Sequence, residues 1–255
     1  MATGKIVVTA FAGMLSLSSG STAVSAAEIT VFAGLGVKAA FVEIVPLFER
    51  TTGHKVNITY DGAPPLVQKI TAGTTGDLLV VPDENSDQLL KEGKLVDGSR
   101  IAFAHASMSV AVRAGAPKPD ISSLEAFKDA LIRAKSVSYN LGAGGVLFES
   151  MVKQRLGILD EVRAKRVITP QVGEPVGVVV ARGDAEIGVT QLGELIPITG
   201  IDIVGPVPSQ LQRPIVFSAT MFPNSSQQET AKAFVNFLRS NAAASILKKW
   251  GLDAV

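Results

Sequence analysis

Apolar and polar positions along this chain switch repeatedly between two periods. Short β-rich runs, "EITVFAG" (28–34), "KVNITY" (55–60) and "DLLVVPD" (77–83), read as strands, the last buried on both faces. Between them lie longer stretches with helical spacing. In "VKAAFVEIVPLFERTTG" (37–53) an apolar stripe runs through Val37, Phe41, Ile44, Val45 and Phe48. Pro46 falls inside that stripe and predicts a kink or an early break, and Gly53 a C-terminal stop. "PPLVQKITAG" (64–73) predicts a helix with prolines in its first turn, and "ENSDQLLKEGKLV" (84–96) another helix with its turn.

From Ser107 the spacing changes. A longer strand, "SMSVAVRAG", is followed by the linker "APKPDISS" and the helix "LEAFKDALIRAK", for which Ser122 and Glu125 form a capping box. The strand "SVSYN" (136–140), a glycine cluster and the helix "LFESMVKQRLGI" (147–158) come next. "VGVVVAR" (176–182) fits either a helix or a strand, and "EIGVTQ" (186–191) a strand. A strand "IVFSATMF" (215–222) leads into two amphipathic helices capped near Asn224 to Ser226, with Ala231, Phe234, Val235 and Leu238 on one face. Alternation of this kind predicts an α/β fold with largely parallel sheets. It divides into two lobes, 28–107 with 213–255 and 108–212, joined by strands near 107–114 and 212–220.

The N-terminus stands apart from this pattern. Lys5, the apolar stretch Ile6–Leu17 and the small residues ending at Ala27 form the three regions of a secretory signal, which makes 1–27 a leader and the mature chain exported to the periplasm. Without Lys5 the 24 basic residues of the full chain come level with its 23 acids, so no electrostatic footprint for nucleic acid exists. Cysteine is absent, which removes thiolate nucleophiles and thiolate metal sites. His54 and His105 lack His or Glu partners at ligand spacing, so no metal and no cofactor is expected. The surface pattern is that of a monomer.

Candidate chemistry centres on the turn after the first strand. Gly34-x-Gly36-x-x-Ala39 formally fits a dinucleotide fingerprint, with Asp61 near the place of an acidic ribose contact. An exported protein rarely meets such a cofactor. The other readings are a glycine turn with no ligand, and a cradle of backbone N–H groups at a helix N-terminus that receives an anion.

The runs "ITVFAGLGVKAAFVEIVPLFERTTGHKV", "VQKITAGTTGDLLVVPD", "RGDAEIGVTQLGELIPITGIDIVGP" and "AKAFVNFLRS" resemble, in order and spacing, the molybdate-binding type of periplasmic solute-binding protein. The resemblance spans nearly all of the mature chain and is closest to a divergent branch that also includes aconitate isomerase. It implies the two-lobed type II binding-protein fold, closing on a small anion in a cleft between the lobes. It also implies delivery to the membrane permease of an ABC importer.

The ligand positions implied by the resemblance are Leu35, Gly36, Gly62, Ala63, Asn140, Gly144, Gly145 and Gln191. Here the chain departs from its model. Serine hydroxyls that hold molybdate fall on Gly36 and Ala63, and a tyrosine falls near Gln191. Backbone N–H groups of Gly36, Ala63 and Gly145 remain as donors, while Pro64 and Pro65 have none. Loss of two hydroxyl donors to a charged oxyanion disfavours tight molybdate binding, by about 1.5–3 kcal/mol each. A small carboxylate suits the site better, with Lys38 the nearest counter-charge and Arg113 a surface cation. The alternative function is an isomerase of a small unsaturated carboxylate such as aconitate. Its base would come from Asp61, Asp83, Tyr139 or Glu174.

Overall fold

A computed structural model of the chain describes Met1 and residues 26–140, 142–167 and 174–255. Apart from Met1, Ala26 and Ala27, the expected leader lies outside the described residues.

The first half of the chain builds one sheet and its helices. Strand β1 (Glu28–Gly34) passes through a 3-10 turn (Leu35–Val37) into helix α1 (Lys38–Thr52). Then come β2 (Lys55–Asp61), α2 (Ala63–Thr71), β3 (Leu78–Pro82), α3 (Asp83–Lys91) and β4 (Ile101–Ala106). After a single residue, Ser107, the chain enters a second group: β5 (Met108–Arg113), α4 (Leu124–Arg133), β6 (Val137–Ser138) and α5 (Ala143–Met151). It continues through α6 (Leu159–Ala164), β7 (Arg166–Val167), α7 (Val176–Arg182), β8 (Ile187–Gln191), α8 (Leu192–Leu195) and β9 (Ile201–Pro206). The chain then returns with β10 (Ile215–Met221), α9 (Gln228–Leu238), α10 (Asn241–Lys249) and β11 (Leu252–Ala254).

Two sheets result. One has the order β11-β4-β10-β3-β1-β2, the other β7-β6-β8-β5-β9. In the first, β2 and β3 flank β1 in parallel while β10 and β4 run antiparallel. In the second, β7 and β8 lie parallel to β6, and β5 is antiparallel to β8 and β9. The sheets are therefore mixed at the strands that carry the chain across, because the crossing strands enter each sheet against its parallel set.

Packing follows the apolar stripe. Phe41, Ile44 and Phe48 of α1 are fully buried, and Phe41 and Phe48 each pack their rings edge-on against Phe234 of α9. Aromatic contacts of this geometry add to simple area burial. Helix α1 runs unbroken through Pro46. Pro46 has no backbone N–H to donate to the carbonyl four residues back, that of Val42, and Val42 is 62% exposed, so water can satisfy that carbonyl. Gly53 ends the helix at φ 78°, as its sequence position implies.

Other details differ from the sequence reading. Ser123, not Ser122, caps α4, its side chain accepting from the Ala126 N–H at 3.1 Å. Ser122 instead donates its own N–H to Asp120. The segment 176–182 is a helix, and its buried side is lined by Val176, Val179 and Val180. Strands β4, β7, β9 and β11 add to those expected; β7 has two residues and β11 a single buried one.

Candidate functional site between the two sheets

In the first sheet the parallel strands β1, β2 and β3 deliver three turns to one edge. These are Gly34–Leu35–Gly36, Asp61–Gly62–Ala63 and Pro82–Asp83. Register places Gly34 beside Asp61, so the first two turns are neighbours. In the second sheet, β6 and β8 run parallel and deliver Asn140 with the glycines of the α5 N-terminus, and Gln191 with α8.

The two sets meet at Gly36. A Cβ on Gly36 would stand 2.5 Å from Gln191 Oε1 and 2.7 Å from Phe217 Cζ, so any side chain there forces its neighbours apart. Across the same contact, a Cβ on Gly193 would lie 3.1 Å from the Gly36 carbonyl and 2.9 Å from that of Trp250. Gly144 packs against Gln191 Nε2 and the Asn140 amide. Gly145 admits no Cβ at all, because the Asn140 carbonyl occupies that space. Gly36, Asn140, Gly144, Gly145 and Gln191 thus come together in one place. Leu35 follows Gly34 into it, and Gly62 and Ala63 lie alongside through the β1–β2 register.

Donor availability narrows further than the sequence implies. Asn140 Oδ1 accepts from the Gly142 N–H at 3.1 Å and the Gly145 N–H at 3.0 Å. The Gly145 N–H expected to serve a ligand is therefore already engaged in fixing the helix start. Likewise the Gly62 N–H is bonded to its neighbour Asp61 at 2.8 Å, and Pro64 and Pro65 follow in α2. Among the described residues, no acceptor outside their own turns takes the Ala63 or Gly36 N–H, and main-chain donors at a helix start suit an anion.

At the centre stands a residue that the sequence reading missed. Glu194 lies in the first turn of α8, half-buried. Its Oε2 accepts from Thr190 Oγ1 at 2.6 Å and Asn140 Nδ2 at 3.4 Å, and its Oε1 from Gln191 Nε2 at 3.4 Å. Burial raises its pKa above the ordinary 4.5, and the hydrogen bonds from Thr190 and Asn140 only partly oppose this. Gln191, 5% exposed, thus turns its amide nitrogen to Glu194, and its Oε1 has no hydrogen-bond partner among the described residues. The sequence signal for Glu194 was an acid three positions after a ligand position. That is also the ordinary place for an acid in a helix's first turn.

The other carboxylates and the phenol with the chemistry of a base sit in different surroundings. Asp61 pairs with Lys69 at 2.8 Å, and that hydrogen bond, ahead of the one from Gly62, holds its pKa low. Glu174 is paired with Arg182. Tyr139 donates to Glu149 at 2.7 Å, and its pKa is raised first by burial. Asp83 has a buried Oδ1 without a partner among the described residues. Lys38 is exposed and its ammonium sits 5.7 Å above the Tyr60 ring, and Arg113 is exposed beside Gly183. A surface hollow lined by Ala27, Glu28, His54 and Thr230 lies at the opposite end of β1 from the glycine turn.

Comparison with known proteins agrees with this architecture. An aconitate isomerase of Pseudomonas sp is 34% identical over 232 residues, covering 89% of this chain and 88% of that one. The molybdate-binding protein ModA of Azotobacter vinelandii is 26% identical over 255 residues, 97% of this chain and 96% of its own. The sulfate-binding protein SubI of Mycobacterium tuberculosis H37Rv superposes with a TM-score of 0.75 at 18% identity, covering 90% of this chain and 87% of that chain. At that identity the likeness speaks for the fold, a two-lobed α/β architecture with its cleft between the lobes. Residues 29–253 match the model of the bacterial extracellular solute-binding proteins, and the chain belongs to that family.

Proposed function

We propose that the chain is an exported, periplasmic solute-binding protein that holds a small carboxylate anion between two lobes, 28–107 with 213–255 and 108–212. It hands the ligand to the permease of an ABC importer. The single observation that carries the ligand class is the cleft's chemistry at Gly36 and Gln191. Where a molybdate binder places a hydroxyl, Gly36 has no room for a side chain, and the facing group is a neutral amide rather than a tyrosine. A tetrahedral dianion needs many convergent donors, and each missing charged hydrogen bond costs about 1.5–3 kcal/mol. A flat carboxylate needs fewer donors, and it tolerates the apolar rim that Leu35 and Pro64 supply.

Thermal denaturation with molybdate, tungstate, sulfate, phosphate, citrate and both aconitate isomers tests this reading. At 100 times its Kd a ligand stabilises by ~2.7 kcal/mol, a shift of several degrees. A carboxylate is expected to give that shift. A comparable shift with molybdate at micromolar concentration contradicts the reading.

A second reading is favoured by the Pseudomonas relative and by Glu194. An isomerase of an unsaturated carboxylate must move a proton between two carbons of one ligand, and a recessed carboxyl of raised pKa is suited to that exchange. Proton NMR of cis- and trans-aconitate with a catalytic amount of protein decides it. Interconversion establishes turnover, and binding without interconversion removes this reading for aconitate.

A further inference from the structure

We infer that Glu194 is the proton-carrying group of the cleft: an anion enters together with one proton, which resides on the Glu194 carboxyl. This rests on the reading of the cleft as an anion site.

Gln191 stands between the carboxyl and the ligand turn. Its Nε2 lies 3.4 Å from Glu194 Oε1, and its Oε1 is buried, partnerless among the described residues, and directed at Gly36. With Glu194 ionised, the amide is locked in this orientation, because a carboxylate accepts and cannot donate. The cleft then presents an acceptor to the ligand, which repels an anion. With Glu194 protonated, its O–H can donate to the Gln191 oxygen. The amide can then turn over and present Nε2 to Gly36 and the ligand. Thr190 Oγ1 and Asn140 hold the other carboxyl oxygen in either state. One proton thereby converts the wall of the cleft from acceptor to donor.

Among the described residues, no ion pair neutralises Glu194. On α1, Lys38 sits over Tyr60 and Glu43 is bonded to Lys249 of α10. On α5, Glu149 is paired with Arg163 and Arg166. On α7, Arg182 is held by Glu174 and Asp184, and Arg113 of β5 is exposed at Gly183. Strand β8 carries no charged side chain. The ligand's own charge is therefore the one that Glu194 meets, and two negative charges in a recessed site favour holding a proton between them.

Two measurements on the purified chain test this. Calorimetric titration with trans-aconitate and with sulfate, at pH 8 in buffers of different ionisation enthalpy, counts protons taken up per ligand. The wild type is expected to take up a proton, approaching one per ligand, and its affinity to fall about tenfold per pH unit above the Glu194 pKa. Glu194→Gln, neutral and of the same shape, is expected to bind with no uptake and no such slope. Binding without proton uptake, or loss of binding in Glu194→Gln, overturns the inference. The second measurement needs no ligand: a carbon-13 titration of labelled glutamates, with Glu194 identified by its loss in Glu194→Gln. A Glu194 signal titrating above the other glutamates supports the inference, and one titrating among them overturns it. If no probe binds, the anion reading falls, and the titration still decides whether Glu194 holds a proton.

Discussion

Gly36 shows how one missing atom sets the chemistry of the cleft. Its neighbours, Gln191 Oε1 and Phe217 Cζ, approach so closely that a serine there cannot simply restore a hydroxyl. Gly36→Ser is expected to destabilise the chain by about 1–3 kcal/mol through overpacking, read as a lowered melting temperature, without producing molybdate binding. This glycine was legible in the sequence, because a turn between strand and helix leaves few choices. Glu194 was not. An acid in a helix's first turn has an ordinary electrostatic reason to be there, and only the fold brings Asn140 and Thr190 to the same carboxyl. Its raised pKa gives a sign for stability. The neutral form is favoured by folding, so its contribution is full below the unfolded value of 4.5 and is lost as pH rises through the folded pKa. Melting curves across that window are therefore expected to show the wild type losing stability relative to Glu194→Gln.

Among the elements, side-chain and main-chain bonds tie together the segments that cross between the sheets. Gln212 Nε2 donates to the Met108 carbonyl at 3.0 Å and to the Val207 carbonyl at 3.2 Å, tying two crossing segments together. The Leu192 N–H reaches the Ser107 carbonyl of the other crossing at 3.0 Å. Gln212→Ala removes both side-chain bonds and is expected to cost about 1–3 kcal/mol, measured by urea denaturation, while faster amide exchange appears at 107–108 and 207. Within the second sheet's group, α5, α6 and β7 are joined through Glu149. Its pKa is held below the usual glutamate range first by the hydrogen bond from Arg163, with Tyr139 also donating to it. That stability is present above the unfolded pKa and is lost as pH falls through the folded one. Glu149→Gln is accordingly expected to weaken the fold at neutral pH and to flatten its acid denaturation profile. The long, strongly patterned helices were read from periodicity, and so were the three central strands. Strands β4 and β11 escaped because what defines them is pairing with β10 and with each other, which local pattern does not encode. Pro46 misled for a related reason: the penalty of a proline depends on whether water reaches the orphaned carbonyl, and that is a property of the folded surface.

At the scale of the molecule, the C-terminal segment is the brace between the two halves. Trp250 bonds Glu43 of α1 through its indole N–H at 2.9 Å, while Gly251 lies against Leu192 and Ile196 around α8. It is the chain's single tryptophan, so its fluorescence reports the contact between the halves without labelling. A two-lobed α/β outline could be read from the alternating pattern, whereas the meeting of Gly36, Gln191 and Glu194 depends on tertiary packing that local pattern does not encode. The proposed function turns on the cleft between the halves taking a carboxylate rather than a tetrahedral oxyanion. Calorimetric titration of the wild-type chain with trans-aconitate and molybdate side by side tests it most directly. Saturable binding of the carboxylate, with molybdate at least about a hundredfold weaker, is the expected result. Molybdate binding as tight as or tighter than the carboxylate contradicts it.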